Sequence, residues 1–208
     1  KRKFFSLNTA TKKKLKSLIE EFSFEDAAKI KEIERSTNHD VKAVEYFIKE
    51  KLKTWGAEAE VEWVHFGLTS QDINNTAVPL AWKHAIEFEY LPNLLNLKTE
   101  LQLLATKWID IPLLARTHGQ PASPTRLGKE IAVFVERLQA QIEQLIGIPF
   151  TGKFGGATGN FNAHHVAFPK TDWIKFGNEF LSSLGLTRQQ HTTQIEHYDQ
   201  LAAQLDTM

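Results

Sequence analysis

The sequence has 208 residues and contains no cysteine. Disulfide bonds, thiolate nucleophiles and cysteine-ligated zinc or iron–sulfur centres are therefore excluded within it. It also has no net charge, because 25 lysine and arginine residues balance 25 aspartate and glutamate residues. A chain without excess positive charge gives no general electrostatic reason to expect nucleic acid or an acidic membrane as a partner.

Long apolar runs are also missing. No stretch approaches the ~20 consecutive apolar residues that a membrane-spanning helix needs, and no signal-peptide pattern opens the chain. Together with the absence of disulfides, this favours a cytoplasmic location without a membrane partner. The one concentration of positive charge, between Lys1 and Lys16, is typical of a solvated helix face.

Helical periodicity is the main pattern that the sequence does contain. Ser23 and Asp26 have the spacing of a capping box at a helix start. Thr69 or Ser70 is predicted to cap a long helix that has Asp72 in its first turn.

Proline and glycine predict where the helices stop. Leu91-Pro92 predicts a break, and Ser123-Pro124 predicts the start of a two-sided helix over residues 124–146. The glycines of residues 147–162 predict a loop or a small irregular pair of strands. A last helix is predicted from Glu196 onward.

These elements predict an all-α fold. We expect a small N-terminal helical domain over residues 1–67, followed by part of a long-helix bundle domain over residues 68–208. The chain begins with Lys1 instead of methionine and ends at Met208 within an unfinished helical pattern. We therefore expect a fragment of a longer protein.

Four polar clusters occur where the predicted helices begin or end. They are Asn38-His39-Asp40, Thr69-Ser70-Gln71-Asp72, Arg116-Thr117-His118-Gly119-Gln120 and His191-Thr192-Thr193-Gln194-Ile195-Glu196. Helix capping explains each cluster taken alone. Helix N-termini also offer free amide donors and a partial positive charge, so the four clusters together favour a substrate with several anionic groups.

His118 is the strongest candidate for a catalytic residue, because its cluster lies between two predicted helices and not on an apolar face. A histidine can give or take a proton near neutral pH. The alternative is a loop histidine that only hydrogen-bonds to the backbone. His164-His165 has no partner at a metal-ligand spacing, and the glycines nearby lack the spacing of a phosphate loop, so we expect no metal and no cofactor.

Several of these segments resemble the fumarase/aspartase superfamily. They are Thr69-Ser70 at a helix start, residues 116–122 and residues 155–160. Residues 34–46 and 192–196 are similar to its bacterial branch that acts on succinylated purine nucleotides. The resemblance extends from about Phe22 to Asp199.

The resemblance implies a lyase of purine biosynthesis that eliminates fumarate. Its substrates would be adenylosuccinate, giving AMP, and the succinylated carboxamide imidazole ribonucleotide. A base removes a proton from the succinyl Cβ, and an acid, His118 by the resemblance, protonates the departing nitrogen. The residues that would bind the substrate are Asn38, His39, Asp40, Thr69, Ser70, Thr117 and Gln194.

Some features of the superfamily are missing from this sequence. Its general base is a serine on a mobile Gly-Ser-Ser loop, and no such segment occurs in these residues, so we expect them to be inactive alone. The phosphate-binding Arg-Tyr pair is missing too, and Glu196-His197-Tyr198-Asp199 differs from the usual Glu-Pro-His-Asp.

The resemblance also implies a homotetramer for the full-length protein, because the superfamily's active sites are shared among three subunits. Two alternatives stay open. One is another fumarate-releasing lyase of the superfamily, such as argininosuccinate lyase. The other is a noncatalytic helical oligomerisation module whose polar loops are only helix caps.

Overall fold

A computed structural model describes residues 7–208. Its N-terminal part contains α1 (Thr9–Glu20), α2 (Phe24–Thr37) and α3 (Asp40–Thr54), followed by a 3₁₀ helix over Glu58–Trp63. The capping box predicted at the start of α2 is confirmed, since Ser23 and Asp26 cap each other's backbone amides.

A small apolar core holds the N-terminal helices together. Leu52, Ala57 and Val61 are buried there, and Leu15 of α1 packs against them. The lysines of α1 are exposed, which confirms the solvated face for that part of the positive cluster. The remaining residues of the cluster, Lys1 to Lys3, lie outside the described residues.

A long helical segment follows and contains α4 (Ser70–His84), a π-helical turn (Ala85–Tyr90) and α5 (Leu91–Lys107). The break predicted at Leu91-Pro92 is wrong, because the chain remains helical through it. Proline has no amide hydrogen and clashes with the carbonyl four residues earlier in a regular helix. The π-helical turn shifts the pairing, so that the Leu91 amide donates to the carbonyl of Ile86, five residues earlier.

A β-hairpin then connects α5 to α6 (Leu127–Gly147), with antiparallel strands β1 (Pro112–Thr117) and β2 (Gln120–Arg126). The helix start predicted at Ser123-Pro124 is therefore wrong, and Pro124 pairs with Leu114 in the hairpin. A two-stranded ribbon has only edge strands, which tolerate a proline. Helix α6 begins after Arg126 and packs along α5.

The C-terminal part contains short elements around a second core. They are β3 (Thr151–Gly152), α7 (Asn162–Ala167), α8 (Trp173–Ser183), β4 (Thr187–Arg188) and α9 (Asp199–Thr207). Strand β3 pairs in parallel with β4. The core is formed by Phe154, Phe161, Trp173, Leu181 and Leu186.

The prediction of a loop after α6 is confirmed, because residues 148–161 contain only the short strand β3. The helix predicted from Glu196 begins instead at Asp199, after Tyr198, whose φ is 62°. Glu196 lies before the helix, where its side chain is buried and its amide donates a hydrogen bond to Asn75 Oδ1.

The all-α class is confirmed, since the sheets among residues 7–208 have only two strands each. None of the helices in that range combines the length and the apolar character needed to cross a membrane. The division into domains at residue 67 stays a prediction.

Candidate functional site

The start of α4 is the polar part of the predicted site from which most of the buried hydrogen bonds described below extend. Thr69 is the N-cap, as predicted, and Ser70 is the first residue of the helix. The Asp72 carboxylate accepts a hydrogen bond from the Thr69 amide at 2.8 Å. The first amides of an α-helix have no acceptor within the helix, so this end offers N–H donors and a partial positive charge.

Asp72 also ties α4 to residues 152–160, which we call the glycine segment. Its carboxylate accepts hydrogen bonds from the amides of Gly155, at 2.9 Å, and Gly156, at 3.1 and 3.2 Å. The ammonium of Lys153 lies 2.9 Å from Asp72 Oδ1, and both side chains are fully buried. Lys153 Nζ also donates to the Gly156 carbonyl at 2.5 Å.

The segment that precedes α9 packs on the same helix through Asn75, which is 1% exposed. Asn75 Oδ1 accepts a hydrogen bond from the Glu196 amide at 2.5 Å, and its Nδ2 donates to the Tyr198 hydroxyl at 2.6 Å. Thr192 packs closely against Gly159, where an added Cβ would lie 2.4 Å from the Thr192 carbonyl oxygen. Gln194, predicted to bind substrate, lies on this segment and is exposed.

These contacts bring three of the predicted segments together. They join the start of α4, the glycine segment and the residues around Gln194, although these are far apart in the sequence. We call this group the α4 cluster. The sequence did not predict that Lys153 and Asn75 belong to the site, because a single lysine in a loop and a single asparagine in a helix give no indication of burial.

The polar triplet Asn38-His39-Asp40 connects α2 to α3. Asn38 ends α2 with a φ of 51°, and His39 caps α3 through Nδ1, which accepts a hydrogen bond from the Lys42 amide at 3.2 Å. Asp40 accepts a hydrogen bond from Asn74 Nδ2 of α4 at 3.4 Å. The Val41 amide and, to a smaller extent, Asn74 lower the pKa of Asp40 from its ordinary value.

His118 and Thr117 lie at the tip of the β-hairpin. This corrects the expectation of a loop between two helices: His118 and Gly119 form a two-residue turn, with φ values of 50° and 75°. Positive φ at both positions matches the twist of a tight hairpin, and glycine at the second position favours it. Both His118 and Thr117 are exposed, and in the described part of the chain His118 makes no side-chain hydrogen bond or ion pair.

The structure therefore does not bring His118 to the α4 cluster within one chain. Helix α6 starts at the base of the hairpin and ends just before the glycine segment. Its 21 residues span about 30 Å at 1.5 Å per residue. Along the chain, the hairpin and the glycine segment therefore lie at opposite ends of that helix.

His164 is a second buried polar residue close to the α4 cluster. It is 1% exposed, its Nδ1 has no hydrogen-bond partner, and its ring lies 4.7 Å from the ring of Trp173. Gly67 leaves room for it, because an added Cβ there would lie 2.7 Å from the imidazole. Burial lowers the pKa of His164, so the neutral ring is favoured.

His165, next in the sequence, is exposed, so the two histidines do not share one environment. Across residues 7–208 the structure holds no group of three or more histidine, aspartate or glutamate side chains placed to bind a metal ion.

The chain is similar to known proteins over nearly its whole length. The sequence matches a family described as lyase over residues 6–208. It is 54% identical over 200 residues to the adenylosuccinate lyase of Dictyostelium discoideum, a match that covers 93% of this chain and 43% of that protein. The adenylosuccinate lyase of Escherichia coli (strain K12) is 48% identical over 193 residues, which cover 92% of this chain and 42% of that protein.

The adenylosuccinate lyase of Haemophilus influenzae is also 48% identical, over 195 residues that cover 93% of this chain and 43% of that protein. The chain therefore spans less than half the length of the curated relatives that it matches.

Proposed function

The chain belongs to the lyase family of the fumarase/aspartase superfamily, and from that premise we propose that the complete natural protein containing it eliminates fumarate from adenylosuccinate to give AMP. The same chemistry would act on the succinylated carboxamide imidazole ribonucleotide, because both substrates carry a succinyl group on nitrogen. The protein would thus serve purine biosynthesis in the cytoplasm.

The α4 cluster is the observation that carries this proposal. Thr69 and Ser70 would bind a succinyl carboxylate through their hydroxyls and the free amides at the helix start. Gln194 would hydrogen-bond to the substrate from the neighbouring segment. The hydrogen bonds of Asp72 and Asn75, which tie both segments to α4, support this arrangement.

Asn38, His39 and Asp40 would bind the nucleotide part. Asp40 accepts a hydrogen bond from Asn74, which lies one helical turn beyond Ser70 on α4. This contact supports a nucleotide-binding position for the triplet next to the proposed carboxylate site. His39 Nδ1 is engaged by the Lys42 amide, so the other ring nitrogen is the one that would face a ligand.

His118 would be the general acid, with Thr117 beside it. A base removes the succinyl Cβ proton, the adjacent carboxylate stabilises the carbanion, and the bond between carbon and nitrogen breaks as His118 protonates the nitrogen. The products are fumarate and AMP. The serine base would come from outside these residues, so residues 1–208 alone would be inactive.

The separation of His118 from the α4 cluster supports a site shared between chains. We propose a homotetramer in which the hairpin tip of one chain meets the α4 cluster of another. Exposed apolar residues on α5 and α6, among them Leu97, Leu103 and Phe134, support this, because such surfaces are typical of protein interfaces. A noncatalytic oligomerisation module would account for these surfaces but not for the buried polar network of the α4 cluster.

Fumarate release by the complete natural protein tests the proposed function. We expect turnover of adenylosuccinate and of the succinylated imidazole nucleotide, and none of argininosuccinate, with fumarate measured by its ultraviolet absorbance. Release from argininosuccinate alone would assign the chain to another branch of the superfamily. No release from any of the three would contradict the proposal.

A further inference from the structure

Asp72 presents an electrostatic problem for the proposed carboxylate site. Its side chain is fully buried in the first turn of α4, and it accepts a hydrogen bond from the amide of Thr69. A carboxylate there stabilises the helix start. It also opposes a second anion at the same place, because like charges repel strongly where water is excluded.

We propose that Lys153 is a positioning residue that neutralises Asp72 and so allows the start of α4 to bind the succinyl carboxylate. This inference rests on the proposed function. It assigns to Lys153 an effect on substrate affinity that is exerted through Asp72, without contact between Lys153 and the substrate.

The geometry holds the lysine charge in a fixed place. Lys153 Nζ lies between Asp72 Oδ1, at 2.9 Å, and the Gly156 carbonyl oxygen, at 2.5 Å. The Lys153 backbone is anchored to α4 at both polar groups: its amide donates to the Asn75 carbonyl, and its carbonyl accepts from Thr76 Oγ1, both at 3.2 Å. The backbone is thus fixed beside α4, and moving the ammonium away from Asp72 would also break its hydrogen bond to the Gly156 carbonyl.

Fold stability alone does not explain why Lys153 and Asp72 form an ion pair in the interior. Lysine and aspartate are almost never fully buried unless they are paired. Replacing a buried ion pair by apolar residues of similar volume is often neutral or even stabilising, because desolvation of the two charges offsets their attraction. A charge balance that serves ligand binding accounts for the presence of both groups.

Two further charged side chains are buried nearby, and neither is in ion-pair contact with Asp72, although Arg188 is close enough for a longer-range electrostatic interaction with it. Arg188 donates from Nε to the Phe154 carbonyl at 2.8 Å, and the Glu196 carboxylate is held by Thr151 Oγ1 at 2.7 Å. Among residues 7–208, Lys153 is the cation in ion-pair contact with Asp72.

The test is a cycle of three variants of the complete natural protein: Lys153→Met, Asp72→Asn and the double variant with both changes. Fumarate affinity is measured by calorimetry without AMP, because the two together are the products of the proposed reaction and would recombine, and AMP affinity is measured separately as the control. Lys153→Met removes the ion-pair partner of Asp72, so we expect fumarate to bind about 10- to 100-fold more weakly while AMP affinity stays within about twofold.

The double variant separates charge from scaffold. It removes the Asp72 charge as well but restores none of the lost hydrogen bonds, and we expect it to bind fumarate at least about fivefold more tightly than Lys153→Met. Fumarate binding as weak as in Lys153→Met, or an equal loss of AMP affinity in Lys153→Met, would overturn the proposal.

A second comparison decides the matter if Lys153→Met does not fold. Asp72→Asn keeps the lysine charge without its partner, so it should bind fumarate more tightly than the double variant. Equal affinities in those two variants would also overturn the role of Lys153. Failure of the unmodified protein to bind fumarate or AMP would instead count against the proposed function, so the two failures are distinguishable.

Discussion

The start of α4 and the tip of the β-hairpin both carry residues implied by one superfamily resemblance, yet they differ in burial and in hydrogen bonding. Asp72, Lys153 and Asn75 are buried and hydrogen-bonded across three segments of the chain. His118 is exposed at a two-residue turn. The difference teaches that the proposed anion-binding part of the site is assembled within one chain, whereas the proposed acid lies exposed on the surface of that chain.

Replacing the exposed His118 should lower the catalytic rate and leave the fold intact. We expect His118→Ala in the complete natural protein to lower turnover by ~10²–10⁴-fold, because general acid catalysis typically contributes that much. The melting temperature should not change, since the side chain is exposed. His84→Ala, at an exposed histidine of α4, is the matched control for turnover. Equal turnover in the two variants would remove His118 from the mechanism.

Two glycines allow the regions to be compared by the same substitution. Gly119 of the hairpin and Gly159 of the glycine segment have φ values of 75° and 79°, so alanine is strained at both. An added Cβ meets nothing within 4 Å at Gly119, but at Gly159 it would lie 2.4 Å from the Thr192 carbonyl oxygen. We expect Gly159→Ala to lower the free energy of unfolding by at least about 2 kcal/mol more than Gly119→Ala.

Urea denaturation of both glycine variants measures this difference. Equal losses of unfolding free energy would mean that the contact between Gly159 and Thr192 is absent in solution. That result would contradict the packing of the glycine segment against the residues around Gln194.

Asn75 tests the buried network without altering any charge. Asn75→Ala leaves the Glu196 amide without its acceptor, so we expect a loss of about 1–3 kcal/mol in the free energy of unfolding. Asn74→Ala, one position along α4, removes a single 3.4 Å hydrogen bond and should cost about 0.5 kcal/mol or less. Similar urea midpoints for the two variants would contradict a structural role for Asn75.

His164 should make the stability of the α4 cluster depend on pH. Because burial lowers its folded-state pKa below the ordinary value of 6.5, the unfolded chain takes up more protons than the folded chain at mildly acidic pH. The contribution of neutral His164 to the free energy of unfolding is therefore fully present above about pH 6.5 and is lost as the pH falls below that value.

We expect His164→Phe to flatten the fall in urea midpoint between about pH 7 and pH 5. His165→Phe, at the exposed neighbour, should keep the slope of the unmodified protein. A slope unchanged by His164→Phe would show that this histidine is protonated as easily in the fold as in the unfolded chain.

The same two regions show how far the sequence could predict the fold and the site. A cap at Thr69 or Ser70 with Asp72 in the first turn, and a capping box of Ser23 with Asp26, were predicted correctly because capping depends on residues close together in the sequence. The buried pairing of Asp72 with Lys153 could not be predicted, because it depends on tertiary packing between distant segments.

The hairpin was missed for a related reason. Ser123-Pro124 has the local features of a helix start, and only pairing with β1 makes it a strand. The turn His118-Gly119 was the one local signal for a hairpin, since glycine at the second turn position favours positive φ.

Mixing two inactive variants tests the central claim most directly, which is that one chain supplies the α4 cluster and another supplies His118. The variants are His118→Ala and the double variant Thr69→Ala with Ser70→Ala, each made in the complete natural protein, unfolded and refolded together. The account predicts that the mixture regains fumarate release well above either variant alone, because some sites then combine an intact α4 start with an intact His118. Activity no higher than the mean of the two variants refolded separately would contradict it.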